Sequence, residues 1–467
     1  MPRADIISVG QGKICSHAAA SVVHDAGAPC ADTPGRLGAA FVSDGSLTYR
    51  SELCEPVDPL HVFAAAGHAP RYYWEQPAAG SFRVGVGCAA SLAVEGSARF
   101  AKAESGARAL LARIDWEGAG PRVGHLVGGF AFAPNAGAAA PWQGFPDGEL
   151  RLPELVYARE GTRYSRDVRR GSKWTVLQPR PLGLLQPVSG AAEITSEEPT
   201  RYVERVQRAL GEIYAGRLQK LVIARTASVT ARVSIDPVAW LVALRERFPR
   251  CTLFAVGDGD IVFLGASPER LVRIRGNEVA TAAIAGTAPR GASLATDDAL
   301  GRALCGSRKN ANEHEIVVRY LTAALSECCD GVEVDPQPKL LKTRTVQHLC
   351  TELRAHRLAR SPVSLLELVA RLHPTPAVGG APREAALEWL TEHEGVARGW
   401  YAGPVGYLQS DGDGEFAVAL RSALVRGRRA TAWAGAGIVA GSEPDAEFTE
   451  TELKLRTVLG PLLWGAP

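Results

Sequence analysis

The sequence has one methionine, no cysteines spaced CxxC, no long block of like charge and no apolar run fit to cross a bilayer. Each absence narrows what the chain can do. Nine cysteines, an odd number at irregular spacing, suit a reducing compartment. Cys328-Cys329 reads as part of a partly buried helix rather than as a metal site. A net charge of +2 over 467 residues argues against a nucleic-acid or membrane-surface role, which would need a concentrated basic face. The longest uncharged stretch, 125–145, holds Pro134, Asn135 and several glycines, so it cannot form a spanning helix. No signal peptide or anchor is expected, and a cytoplasmic protein is.

What is present is globular. Hydrophobic residues make up 46% and charged residues 22%, enough to bury a large core in one big domain or two to three ordinary ones. The first part reads as short strands broken by turns, at 39–42, 81–87, 126–132, 150–160 and 174–177, with a helix over 97–114. Residues 187–199 are polar and turn-rich and make the best linker, dividing a β-rich part, 1–195, from a second part, 196–467. Beyond it, Val203, Val206, Leu210, Ile213 and Leu218 mark one face of a helix. Strand 220–225 follows, then helix 237–248 and hairpins over 251–265 and 267–284. Helices are expected at 312–326, 364–372 and 383–390, and strands at 403–409, 415–421 and 431–434. Meanders mixed with long helices, rather than strict βαβ alternation, predict an α+β fold.

The stretch most suggestive of chemistry lies near the end, Ala434-Gly-Ala-Gly-Ile-Val-Ala-Gly-Ser-Glu-Pro-Asp445, followed by a charged helix. Its glycines read as a turn whose backbone N–H groups can approach an anion. Ser442, Pro444 and Asp445 are helix-start residues. On that helix Glu447, Glu450 and Lys454 share one face, able to hold a hard divalent cation beside an anionic ligand. Read alone, the same face is an ordinary solvated surface. Gly435, Gly437 and Gly441 follow no βαβ start, so a dinucleotide loop is weakly supported.

Several segments in order carry a family resemblance: Lys220-Leu-Val-Ile-Ala-Arg225, Ala266-Ser-Pro-Glu-Arg270, Ile284-Ala-Gly-Thr287, Lys309-Asn-Ala-Asn-Glu-His-Glu315, Gln347-His-Leu349, His373-Pro-Thr-Pro-Ala-Val-Gly-Gly380 and the glycine-rich stretch above. Together they resemble the chorismate-binding enzymes, which include isochorismate, salicylate, anthranilate and aminodeoxychorismate synthases. The resemblance is dense over 220–459 and thinner before, where Gly128-Gly-Phe-Ala-Phe132 and Trp142 also fit. It implies one large domain with two β-sheets packed face to face and helices outside, making 187–199 an internal connection. It also implies chorismate as substrate, Mg2+, and a buried cleft between the sheets.

The resemblance assigns roles residue by residue. Lys220 is similar to the family's general base, whose pKa must be lowered for it to act near neutrality. Glu269 is similar to the general acid, whose pKa must be raised. By local sequence alone, Lys220 is a solvent-facing strand lysine and Glu269 a surface partner of Arg270 or Arg273. Glu313 and Glu450 would hold Mg2+, with Glu447 orienting its water. Asn310 stands where the family usually has an acid, so an amide would replace one charge near the metal's water. Tyr401, Arg421, Lys454 and the backbone of Ala436 and Gly437 would grip the enolpyruvyl carboxylate. Gly286, Thr287, His348, Ala377 and Val378 would line the site.

Aminodeoxychorismate enzymes carry a nucleophilic lysine where this chain has Ala285, so water or ammonia is left as nucleophile. The 373–378 segment is similar to isochorismate synthases, and no amidotransferase module is recognisable. The resemblance therefore implies an isomerase, isochorismate synthase, with salicylate synthase as the alternative and an inactive chorismate-binding protein as the reading from another class. A monomer or weak homodimer is expected. Siderophore, salicylate and menaquinone biosynthesis all remain open as destinations of the product.

Overall fold

A computed structural model describes residues 41–464, except 43–46, 123, 176, 178–181 and 186–192. Among the described residues two large, mostly antiparallel sheets carry the fold, one of eleven strands and one of thirteen, with helices outside them. The α+β expectation holds. The first sheet runs through His125–Phe130, Pro404–Gln409, Gly414–Val418, Arg270–Arg275, Glu278–Pro289 and Val346–Arg357. The second runs through Lys220–Thr230, Arg429–Ile438, Ser422–Arg426, Ile261–Ser267, Thr252–Asp258 and Arg71–Gln76. Early strands pair with late ones in both: Arg71–Gln76 with Thr252–Asp258, and His125–Phe130 with Pro404–Gln409. A boundary at 195 thus cuts across continuous hydrogen-bonded sheets.

Apolar side chains on the inner faces of both sheets form the larger core. Trp74 from one sheet meets Tyr407 from the other edge-on, with ring centroids 5.6 Å apart. A second core lies on the other face of the thirteen-stranded sheet. Helices Pro59–Ala65, Pro237–Arg247 and Pro444–Trp464 close it with Leu60, Phe63, Trp240, Leu455 and Leu459. Two of these helices begin with a proline whose preceding aspartate, Asp58 or Asp236, accepts hydrogen bonds from the first free N–H groups.

Several sequence expectations need correction. The 150–160 strand is two strands, Gly148–Leu152 and Leu155–Glu160, because Pro153 cannot donate to a ladder. At 174–177 the described residues form no strand; the Trp174 indole instead packs where a Cβ on Gly87 would lie 2.8 Å from Nε1. Of the 187–199 linker, the described part begins with a strand, Glu193–Ser196, paired with Lys220–Thr230. Residues 39 and 40 of the first expected strand lie outside the described residues; Phe41–Val42 is a strand. Cys328 and Cys329 are buried but not helical: the helix ends at Ser326 and Cys329 opens a strand. The glycine-rich run is not a turn until after Ile438. Gly435 and Gly437 belong to strand Arg429–Ile438, paired along Lys220–Thr230. Helices Pro59–Ala65 and Leu294–Gly306 have no counterpart among the expected elements.

Trp142 ties this frame to the cleft. It is fully buried, stacks obliquely on Trp433 at 5.0 Å and meets Phe263 and Phe145 edge-on. Trp142→Ala should cost about 3–5 kcal/mol, read as a lower midpoint in urea unfolding.

Candidate active site

Three elements converge on one cleft. Strand Lys220–Thr230 enters with Lys220, helix Arg308–Ser326 supplies Glu313, and helix Pro444–Trp464 supplies Glu447, Glu450 and Lys454. Lys220 is fully buried, and its Nζ lies 2.9 Å from Glu313 Oε1. Neither Lys220 nor Glu269 is a surface residue, so the local solvent-facing readings fail. The cause is tertiary: the strand paired alongside brings Gly437 against the Lys220 side chain. A Cβ on Gly437 would overlap Glu313 Oε1 and sit 3.2 Å from Lys220 Cε. Only glycine leaves room for the pair.

Around it the charges alternate. Lys454 Nζ lies 2.7 Å from Glu450 Oε1 and donates to the Gly435 carbonyl at 2.8 Å. Lys309 pairs with the buried Glu447. Burial raises Glu313, yet Lys220, Lys309 and Lys454 outweigh it and hold its carboxyl below the usual range. Glu447 is pushed up by burial and by Glu450, with Lys309 opposing. Glu269 is the opposite case to Glu313. Burial lifts it to about 8 against the pull of Lys220 and Lys454. The neighbouring Arg270 is engaged elsewhere, its Nε donating to Glu415 Oε1 at 2.9 Å. A carboxyl protonated at neutral pH can donate a proton.

A second cluster lies on the wall. Gly286, at φ 76°, interrupts the register between strands Glu278–Pro289 and Val346–Arg357. Such a bulge re-aims the next side chain, here Thr287. Thr287 Oγ1 lies 3.1 Å from His348 Nδ1, and His348 Nε2 lies 3.0 Å from Arg421 Nη2. A guanidinium can only donate, so Nε2 accepts and His348 is neutral with its proton on Nδ1. Burial, with Arg421 and Lys454, holds the imidazole well below its usual pKa, in agreement. Arg421 itself stands at φ 49°, a strained backbone for a side-chain-bearing residue. Its buried guanidinium also reaches Cys251 Sγ, at 3.7 Å.

The cleft is lined by Glu269, Gly286, Thr287, Glu313, His348, Ala377, Val378, Tyr401, Arg421, Gly437, Glu450 and Lys454, all expected from the sequence. Four expected residues stand just outside that lining. Lys220 reaches it through Glu313; Ala436 is wholly buried in its strand; Glu447 is buried and paired with Lys309; Asn310 packs against Gly286. The apolar wall of Val222, Pro268, Ile284, Leu420 and Trp433 was missed. Apolar strand residues carry no mark that separates a cleft wall from a core.

Among the described residues no three His, Cys, Asp or Glu side chains form a ready metal cluster. Glu313 and Glu450 nevertheless face one cleft, and a magnesium ion needs only one or two carboxylates when waters and substrate oxygens complete its shell. The donor set fits such an ion.

This geometry agrees with the sequence comparisons. A chorismate binding enzyme profile matches residues 41–170 and 180–463. The chain belongs to the chorismate-binding enzymes. Over 425 residues it is 41% identical to the salicylate biosynthesis isochorismate synthase of Pseudomonas aeruginosa, covering 86% of this chain and 87% of that protein. It is 34% identical to the isochorismate synthase MenF of Bacillus subtilis over 355 residues, 72% of this chain and 74% of that one. Among solved structures, the menaquinone-specific isochorismate synthase MenF of Escherichia coli superposes with a TM-score of 0.73 at 27% identity, covering 88% of this chain and 94% of that one.

Two outcomes follow from the site. Gly437→Ala should lower kcat at least about a hundredfold while the fold persists, since the added methyl overlaps Glu313 and not the core; circular dichroism and steady-state rates together check this. Glu269 titrates from 4.5 in the unfolded chain to about 8 in the folded one. The folded state therefore binds the extra proton between those values, and stability from this group is present below 4.5 and lost as pH rises through about 8. Melting temperature measured across that window should show the decline, and Glu269→Gln should flatten it.

Proposed function

We propose that this chain is an isochorismate synthase, an isomerase that adds water at C2 of chorismate and releases the C4 hydroxyl. The observation that carries the reading is two buried groups at one cleft: Lys220, just behind the lining and paired with Glu313, and Glu269, on the lining and held protonated at neutral pH. Ala285 lines the same cleft and offers no amine that could attack the ring in place of water. The names of the relatives from Pseudomonas aeruginosa and Bacillus subtilis support the same activity.

In this mechanism Lys220, uncharged, takes a proton from water as its oxygen bonds to C2. The C4–O bond breaks, and Glu269 gives its proton to the departing oxygen, so one water enters and one leaves. For Lys220 to take that proton, its Nζ would have to turn from Glu313, 2.9 Å away, toward the water. Glu313 and Glu450 would hold Mg2+, whose charge, when bound, neutralises a carboxylate of the dianionic substrate. Arg421, held by His348, and Lys454 face the cleft as cations for the second carboxylate. No helix among the described residues is long and apolar enough to cross a membrane; a cytoplasmic monomer or weak homodimer completes the reading.

Chromatography of the products formed from chorismate and Mg2+, with a parallel pyruvate assay, tests it. Isochorismate without pyruvate is expected. Salicylate with stoichiometric pyruvate would replace this reading with a salicylate synthase, and no consumption would favour an inactive binder. Lys220→Ala should lower turnover by about two to four orders of magnitude while chorismate still binds by calorimetry; unchanged turnover would remove Lys220 from the reaction.

A further inference from the structure

The strand that carries Lys220 has a gap along its outer edge. Its partner on one side, from Leu221 to Thr230, is Arg429–Ile438. On the other side Lys220 and Leu221 pair with Ala381 and Gly380, and residues 227–230 pair with Glu193–Ser196. Between those two short partners the edge has no neighbouring strand among the described residues, and its polar groups must be satisfied otherwise. Val222 N–H donates to the Gly379 carbonyl at 2.7 Å. Two buried side chains serve the next groups. Ala224 N–H donates to Glu394 Oε1 at 2.7 Å, and Arg398 Nη2 donates to the Val222 carbonyl at 2.6 Å.

Arg398 does more than fill the gap. Its Nε donates to Glu394 Oε2 at 2.7 Å, and its Nη1 donates to the Val378 carbonyl at 2.7 Å. The guanidinium lies over the Phe132 ring, 4.2 Å from its centroid, and both residues of the ion pair are buried. Val222 and Val378 belong to two neighbouring pieces of the cleft wall, one on the strand of Lys220 and one on the 373–380 loop. The backbone carbonyl of Arg398 also accepts from the N–H of Tyr401, a third piece of that wall. One residue with a planar, rigid head therefore bonds to three of the segments that define the cleft.

We propose that Glu394 and Arg398 form a positioning clamp: standing in for a missing strand, the pair fixes the height of Lys220 and Val222 against the loop bearing Ala377 and Val378. Neither residue touches the cleft. Both act through the backbone they hold. A buried ion pair gives little net stability compared with apolar packing, so geometry is the gain that this one offers. The inference rests on the isomerase reading for its kinetic consequence, and on the hydrogen bonds alone for its structural one.

Arg398→Lys separates the possibilities. Lysine keeps the charge opposite Glu394 but cannot reach the Val222 and Val378 carbonyls in the same plane. The clamp predicts at least a tenfold lower kcat, KM for chorismate within about threefold of wild type, and a cooperative thermal transition. Hydrogen exchange should quicken in peptides covering 220–226 and 374–381 and stay unchanged in distant strands such as Thr48–Leu53. Glu394→Gln, which still accepts from Ala224, should show the same pattern more weakly, and it carries the test if the first variant does not fold. Wild-type kcat, or a loss matched by the unfolded fraction with exchange raised throughout, would overturn the clamp. If the wild-type protein turns over no chorismate, the isomerase reading fails, and the exchange pattern alone decides the clamp.

Discussion

The contact on which the rest of this structure depends is the ion pair between Lys220 and Glu313, 2.9 Å apart and out of water. Burying either charge alone would cost several kcal/mol, and burying both is tolerable only with close approach. Close approach in turn demands that the strand bearing Lys220, the helix bearing Glu313 and the strand bearing Gly437 meet without a methyl group between them. The thirteen-stranded sheet supplies the two strands side by side, and the helix packs against strands of the eleven-stranded one. Anything that shifts one element by an ångström leaves an unpaired buried charge.

Around that contact the cleft separates its tasks by electrostatic environment. Lysines surround Glu313 and keep it ionised, whereas Glu269, equally buried but with weaker compensation, stays protonated near neutral pH. Two carboxyls of one ordinary acidity thus become an anion and an acid. The opposite wall is cationic and organised by a neutral histidine. His348 accepts from Arg421 and turns its remaining proton to Thr287, so a strained arginine is fixed in place by a neutral partner rather than a carboxylate. The guanidinium keeps its charge for an anion.

The order of motifs made much of this site readable. Twelve of the residues expected from it line the cleft, and the α+β architecture follows from hydrophobic periodicity. What misled was local appearance. The run 434–441 reads as a turn because glycine is frequent in turns, yet Gly435 and Gly437 are strand residues whose missing side chains make space for Tyr401 and Glu313. No motif singles out Arg398 and Glu394, and only the gap at a sheet edge shows why they are buried.

By itself the sequence determined the types of chemical group and the local elements that carry them: a lysine opening an apolar strand, carboxylates on helices, a proline before Glu269, alanine at 285. Those depend on short-range spacing, which periodicity encodes directly. The tertiary structure decided which charges meet and which are dry. Lys309 and Glu447 are 138 positions apart, and Arg398 and Val222 are 176 apart. No spacing rule reaches that far, because such contacts exist only once two sheets have closed on one another. A pKa depends on those contacts and on the water they exclude; the residue type alone cannot set it.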